Sequence, residues 1–254
     1  MLQVPLRVLV GTLYSAEKEF MESRNSALKQ QYCRVDHYVI KDLNEYDAHN
    51  LLWKVLNSRT DSYDLFVKLD ADTILGKLNL FHTVHERLIS KSLDGIQLSL
   101  LDYYSQSSIY GLGIFLPRVR FMQSRSRLFA DRAIDRQKFK IGRNQDIGFL
   151  EDAGFHCSYP SAEQSYRYGL HRWKKGQLDL MRLVLQNWIL ERDSARGWAL
   201  IGAIMAEKKR FISVNYGGQN FQKIASLLKS KSDLERWISQ NIHCLNLGLK
   251  SSIT

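Results

Sequence analysis

Three cysteines and three prolines are all that the 254-residue sequence holds of those types, and no long apolar run occurs. Cys33, Cys157 and Cys244 lie far apart without CxxC spacing, which argues against a ribbon-type zinc site. An odd, sparse set of thiols fits a reducing compartment and a role as small buried hydrophobes. So few prolines, with fifteen glycines, exclude a collagenous or low-complexity tract. A helix that crosses a bilayer needs about 20 apolar residues. The longest candidate, Trp198 to Ala206, falls far short of that. Met1 to Val10 has no charged region ahead of an apolar core and cleavage site, so no signal peptide is expected.

What is present is an ordinary globular composition, 44% hydrophobic and 24% charged. The length suits one large domain, or one domain with a helical appendage, and needs no disulfide or structural metal to fold. The formal net charge of +10 admits nucleic acid, anionic lipid headgroups and phosphorylated substrates as partners. Basic residues cluster from Arg118 to Arg143, either as a solvated surface or as a face that meets phosphate or membrane.

Apolar periodicity organises the first half. Arg7–Gly11, His37–Ile40 and Asp64–Leu69 read as strands. Ala16–Gln31 (capped by Ser15), Glu45–Asn57 and Asn79–Lys91 read as helices. This alternation predicts parallel β-α units in a doubly wound α/β sheet, with ligands beyond the carboxyl ends of the strands. Thr12–Ser15, Lys41–Asp42 and Asp70–Asp72 then share one rim. Further on, Gly95–Leu101, Gly111–Leu116 and Phe155–Tyr159 read as strands and Asp146–Asp152 as a short helix. From Gln177 the pattern is helical: Leu178–Arg192, Ala195–Lys209, Phe221–Leu228 and Ser232–Ile242, the last with capping-box spacing from Ser232 to Glu235. The expected division is residues 1–176 as a catalytic domain and 177–254 as a helical region packed on it.

Asp70 and Asp72 end the strand Asp64–Leu69. Two carboxylates so close repel each other, and burial raises the cost unless a cation binds. Mg²⁺ or Mn²⁺ suits such a pair, because each takes one or two protein carboxylates and completes its shell with phosphate oxygens. Taken alone, Asp-x-Asp also serves as a loop cap.

The pair lies within DLFVKLDADTIL. Together with RVLVGTLYSAEKEF, NQDIGFLEDAGF and YGLHRWKKG, it makes residues 7 to 175 resemble the GT-A glycosyltransferases. The resemblance implies a Rossmann-like mixed sheet flanked by helices, with a helical C-terminal region. It implies sugar transfer from a nucleotide-diphosphate sugar to a hydroxyl of a glycan or lipid-linked acceptor, by an inverting course. It also implies Asp72 as the direct ligand of Mn²⁺ or Mg²⁺, with Asp70 on the ribose or the metal and His171 completing the coordination. Thr12, Tyr14, Glu17 and Asp42 would contact the nucleoside, and Lys68 and Ala71 flank the same donor site. Arg172, Lys174 and Lys175 would neutralise the leaving diphosphate, with Gly169 and Gly176 bracketing a lid. Asp146 is the implied base at a helix N-terminus, with Glu151 as the alternative. Tyr103, Tyr104 and Tyr110 would stack on a sugar ring or pack in the core. The other histidines, His156 included, show no ligand spacing.

Two other readings compete. A sugar-nucleotide-forming nucleotidyltransferase would open with a Gly-rich basic phosphate loop, and GTLYSAEKEF is poor in glycine. A nucleic-acid-binding module would carry an aromatic-basic strand signature, and none is present, so no nucleic-acid partner is expected. The expected setting is cytoplasmic, with peripheral contact at the inner face of the membrane.

Overall fold

The computed structural model describes residues 4–149, 151–208 and 218–247. It divides into two compact units, residues 1–102 with 107–158 and residues 103–106 with 159–254.

The first unit begins β1 (Leu6–Tyr14), α1 (Phe20–Leu28), β2 (Cys33–Lys41), α2 (Glu45–Asn57) and β3 (Leu65–Lys68). It continues β4 (Thr73–Leu75), α3 (Leu80–Ser90), β5 (Gly95–Asp102), β6 (Ser108–Phe115), β7 (Ile141–Arg143) and β8 (Gly154–His156). The strands form one mixed sheet in the order β2-β1-β3-β6-β5-β8-β4, with β7 paired to β5. The first three strands are parallel, as their sequence alternation predicts. Beyond them the sheet is mixed, as the resemblance implies: β6 runs antiparallel to both β3 and β5. The cause is local, since β5 turns straight back into β6 within a few residues, and so short a connection permits only antiparallel pairing.

The central strands are the apolar runs. Val8, Leu9 and Val10 of β1 and Leu65, Phe66 and Val67 of β3 are all buried. β2 is an edge strand whose residues alternate between exposed and half-buried up to Ile40, which is buried. Helix α2 has the limits its periodicity predicts, because Asn44 caps it by accepting from the Asp47 N–H (3.0 Å). Its inner face delivers Leu52, Trp53 and Leu56 to a core with Leu9, Ile40, Phe66, Phe115 and Phe121. The Trp53 and Phe121 rings stack with centroids 4.8 Å apart. Helix α1 is shorter than expected. Ala16 takes a left-handed conformation (φ 71°), which an α-helix does not accommodate, and Ser15 bonds to Glu17 rather than capping a helix. The helix therefore starts at Phe20.

The second unit holds α4 (Ala162–Lys174), α5 (Leu178–Glu191), α6 (Ser194–Lys208), α7 (Gly218–Ala225) and α8 (Lys231–Asn241). Lys209, the expected last residue of the helix Ala195–Lys209, lies outside the described residues. Helix α6 is buried without a break from Arg196 to Ala206. Helices α4 and α6 approach backbone to backbone. A Cβ at Gly169 would collide with the Ala199 carbonyl, and one at Gly202 with the Tyr166 carbonyl. The Arg196 guanidinium is buried. It donates to the carbonyls of Tyr103 and Tyr104 (both 2.8 Å) and pairs with Glu191 and Asp193. Helix α8 starts earlier than its Ser232 spacing suggests, because Ser230 and Asp233 form the capping box. No helix among the described residues is long and apolar enough to cross a membrane.

Candidate functional site

The register of the first sheet aligns the strand ends. Gly11 pairs with Lys68 across β1 and β3, and Tyr14 with Lys41 across β1 and β2. The carboxyl ends of these strands therefore lie side by side, but β1 runs on to Tyr14, so Thr12 and Tyr14 lie within it rather than after the expected strand Arg7–Gly11. Thr12 is fully buried, and its hydroxyl is 2.9 Å from His37 Nε2. Tyr14 packs on Phe20, with ring centroids 4.4 Å apart, and the Lys41 ammonium sits 5.3 Å from its ring centre. Glu17 accepts from the backbone N–H (2.6 Å) and hydroxyl of Ser15. Burial lifts the Glu17 carboxyl above the usual range against these bonds, and the charge of Asp72 adds to the rise. Asp42 is exposed at the end of β2 in a left-handed conformation (φ 60°).

The two acidic residues play different parts. Burial raises the Asp70 carboxyl, but the charge and hydrogen bond of Lys68, with the charges of His156 and His49, together hold it below its ordinary range. Ala71 is buried between the pair. Asp72 faces a different group of residues. The Cys157 thiol donates to Asp72 Oδ2 (3.2 Å), and His156 Nε2 stands 3.8 Å from the same oxygen. Asp72 Oδ1 is buried with no hydrogen-bond partner among the described residues. On the far side of the imidazole, Nδ1 lies 2.8 Å from Asp102 Oδ1, and Asp102 is fully buried. Burial, then the charges of Asp72 and Asp102, push the Cys157 thiol well above its ordinary value.

Strand pairing builds this cluster. Thr73 pairs with His156 across β4 and β8, and Asp102 pairs with His156 across β5 and β8. The Cys157 N–H then bonds to the Asp72 carbonyl (2.9 Å). Sequence reasoning missed His156, Cys157 and Asp102, and took the thiol for an inert hydrophobe. The one usable signal was the adjacent His-Cys within the predicted strand Phe155–Tyr159. Its distance from Asp72 along the chain hides the contact.

Asp146 is exposed in a 3-10 turn, Asn144–Ile147, and its Oδ2 accepts from the Arg143 N–H (2.7 Å). The short helix expected over 146–152 is this turn, placed earlier; Leu150 lies outside the described residues. Asn144 fastens the turn to β5, accepting from the Ser99 N–H and donating to the Ser99 hydroxyl (2.8 Å each). Glu151 is exposed and paired with Lys77, which holds its carboxyl below the ordinary range.

His171, Arg172 and Lys175 belong to the second unit, on the last turn of α4 and at its C-cap. Arg172 donates to the Gln177 side chain (3.0 Å). The lid expected between Gly169 and Gly176 is not a loop. Helix α4 runs unbroken through Gly169, and Gly176 (φ 69°) ends it in the left-handed conformation typical of that position. Tyr104 is core, with its ring stacked on Tyr168 at 4.0 Å and its hydroxyl donating to Ser165 (3.1 Å). Tyr110 is exposed, with the Arg143 guanidinium 4.9 Å from its ring centre.

No family model matches the chain. No curated protein matches it either. Solved structures similar to it include S. aureus TarS (residues 1–349), at 10% identity and a TM-score of 0.40 over 95% of this chain and 81% of that one. The mannosyltransferase PcManGT from Pyrobaculum calidifontis, in complex with GDP-Man and Mn²⁺, matches at 12% identity and a TM-score of 0.39 over 97% of this chain and 87% of that one. A protein from STIV matches at 11% identity and a TM-score of 0.33, over 44% of this chain and 65% of that one.

Proposed function

We propose that the chain is a cation-dependent glycosyltransferase of the GT-A type, transferring a sugar from a nucleotide-diphosphate donor to a hydroxyl acceptor with inversion. The observation that carries this reading is Asp72. It is a carboxylate just past the third parallel strand, with one buried oxygen lacking a hydrogen bond and an imidazole nitrogen facing the other. An oxygen so placed fits a divalent cation, since a buried carboxylate oxygen without a donor is otherwise costly. Asp72 would hold the ion, with Asp70 kept ionised beside it by Lys68. When bound, the cation supplies charge neutralisation for a diphosphate leaving group.

The other roles follow from position. Tyr14 offers a ring beside the end of β1 for a nucleobase, and Asp42 offers an acceptor for a base N–H. Asp146 is the better general base of the two candidates, because the Lys77 ammonium holds the Glu151 carboxyl below its ordinary range and so weakens it as a base. Asp146 would take the acceptor hydroxyl's proton as that oxygen attacks the anomeric carbon. Glu151 is committed to Lys77. The acceptor is a glycan or lipid-linked hydroxyl.

Thermal shift with nucleoside diphosphates, with and without Mn²⁺, tests the reading. Stabilisation is expected only with metal, about 2.7 kcal/mol at a ligand concentration of about 100 Kd. Asp72→Asn should abolish that shift while leaving the unliganded melting temperature near wild type. A shift by oligonucleotides alone, or one indifferent to metal, would sink the assignment.

A further inference from the structure

The Asp72 cluster carries more than the two carboxylates of the acidic motif. Three side chains of different chemistry converge on it: Asp72 Oδ2, His156 Nε2 and Cys157 Sγ. Their mutual distances are 3.2 Å (O to S), 3.8 Å (O to N) and 3.6 Å (S to N). Ligands at the corners of a tetrahedron around Zn²⁺ stand about 3.3–3.6 Å apart, given bonds of about 2.0–2.1 Å to oxygen and nitrogen and 2.3 Å to sulfur. The three donor atoms already hold nearly that spacing.

One further observation favours a metal over a hydrogen-bonded thiol. Asp102 Oδ1 stands 2.8 Å from His156 Nδ1, which turns Nε2 toward Asp72 and Cys157; with Nδ1–H donated to that carboxylate, Nε2 would offer its lone pair to a metal. That carboxylate–imidazole pair is the usual outer support of a metal-bound histidine.

We propose that Asp72, His156 and Cys157 form a three-ligand site selective for Zn²⁺ over Mg²⁺, oriented by Asp102 and open at a fourth position to a diphosphate oxygen. The openness to diphosphate rests on the glycosyltransferase reading above, whereas the ligand set does not. Selectivity follows from the donors. Thiolate and imidazole suit Zn²⁺, whereas Mg²⁺ prefers oxygen alone and Mn²⁺ gains little from sulfur. Three protein ligands with one vacant position describe a reactive zinc site rather than a structural one.

The test uses the full chain, stripped with chelator and dialysed separately against Zn²⁺, Mn²⁺, Mg²⁺ and Co²⁺. Metal content and the ultraviolet spectrum of the Co²⁺ form are then read. A single retained Zn²⁺ and a thiolate-to-cobalt charge-transfer band are expected. Asp102→Asn should weaken Zn²⁺ binding by about 10–100-fold. Cys157→Ser and His156→Gln should weaken it at least as much, and Cys157→Ser should remove the band. Asp70→Asn should keep both the metal and the band. The proposal is overturned by a wild-type chain that takes up no Zn²⁺, by Zn²⁺ retention unchanged in Cys157→Ser, or by Co²⁺ binding without the band.

The nucleoside-diphosphate melting shift, run on the same samples, separates the two readings. A Mn²⁺-dependent shift in a protein that ignores Zn²⁺ would sink this ligand set and leave the transferase standing. Zn²⁺ binding that depends on Cys157, with no nucleoside-diphosphate shift under any cation, would do the reverse.

Discussion

His37 and Thr12 show how one buried contact on the rim sets a pH limit. Burial, and then the Arg24 charge, depress the His37 imidazole from an ordinary 6.5 to about 4. The unfolded chain takes up this proton near pH 6.5 and the folded chain only near pH 4, so between the two the unfolded state binds more protons. Stability from this group is complete above the upper value and falls as pH drops toward the lower one. His49 is depressed in the same direction by burial and then by Lys68, so His37→Gln should flatten only part of the slope. Urea midpoints for wild type and His37→Gln across that range would measure it; parallel curves would refute the assignment. At this scale the sequence was informative where chemistry is local. Asp70 and Asp72 stood out because two carboxylates at a strand end are costly in any fold. Asp102, His156 and Cys157 did not, because nothing in their spacing reveals that three strands bring them to one point.

Helices and strands were legible in proportion to how far local chemistry decided them. Helix α2 kept its predicted limits because an Asn cap and an apolar stripe agree. Helix α1 lost its first turn to a left-handed Ala16, a conformation that residue type does not announce. The stretch around His171 misled because Gly169 suggests a hinge, whereas its function is to let two helix backbones touch. A pair of substitutions separates the two uses of glycine. Gly202→Ala puts a Cβ into the Tyr166 carbonyl and forces α4 and α6 apart. Its cost should be about 3 kcal/mol, at the upper end for overpacked sites. Gly176→Ala meets no atom within 4 Å and carries only the left-handed penalty, about 1–2 kcal/mol. Chemical denaturation should therefore rank Gly202→Ala well below Gly176→Ala; equal losses would mean the helix contact can relax.

Across the whole molecule, the parallel first half followed from alternating strand and helix patterns, which β-α-β connections make nearly obligatory. The antiparallel insertion of β6 between β3 and β5 did not, because sheet order depends on pairings between distant segments. Helices were expected from residue 177 onward, whereas the second unit also takes in α4, which the sequence reading put in the catalytic domain, and Tyr103–Gln106, which look like an ordinary turn between two strands. That turn makes the second unit discontinuous. A fragment starting at residue 159 would lack the Tyr103 and Tyr104 carbonyls that Arg196 needs, stranding a buried guanidinium with two donors unmet. Such a fragment should show a weaker and less cooperative thermal transition than the same helices within the full chain, measured by circular dichroism. The consequence reaches into how this gene can vary. A fusion that carried the helical unit as a C-terminal cassette would leave four of its residues behind, encoded inside the other unit.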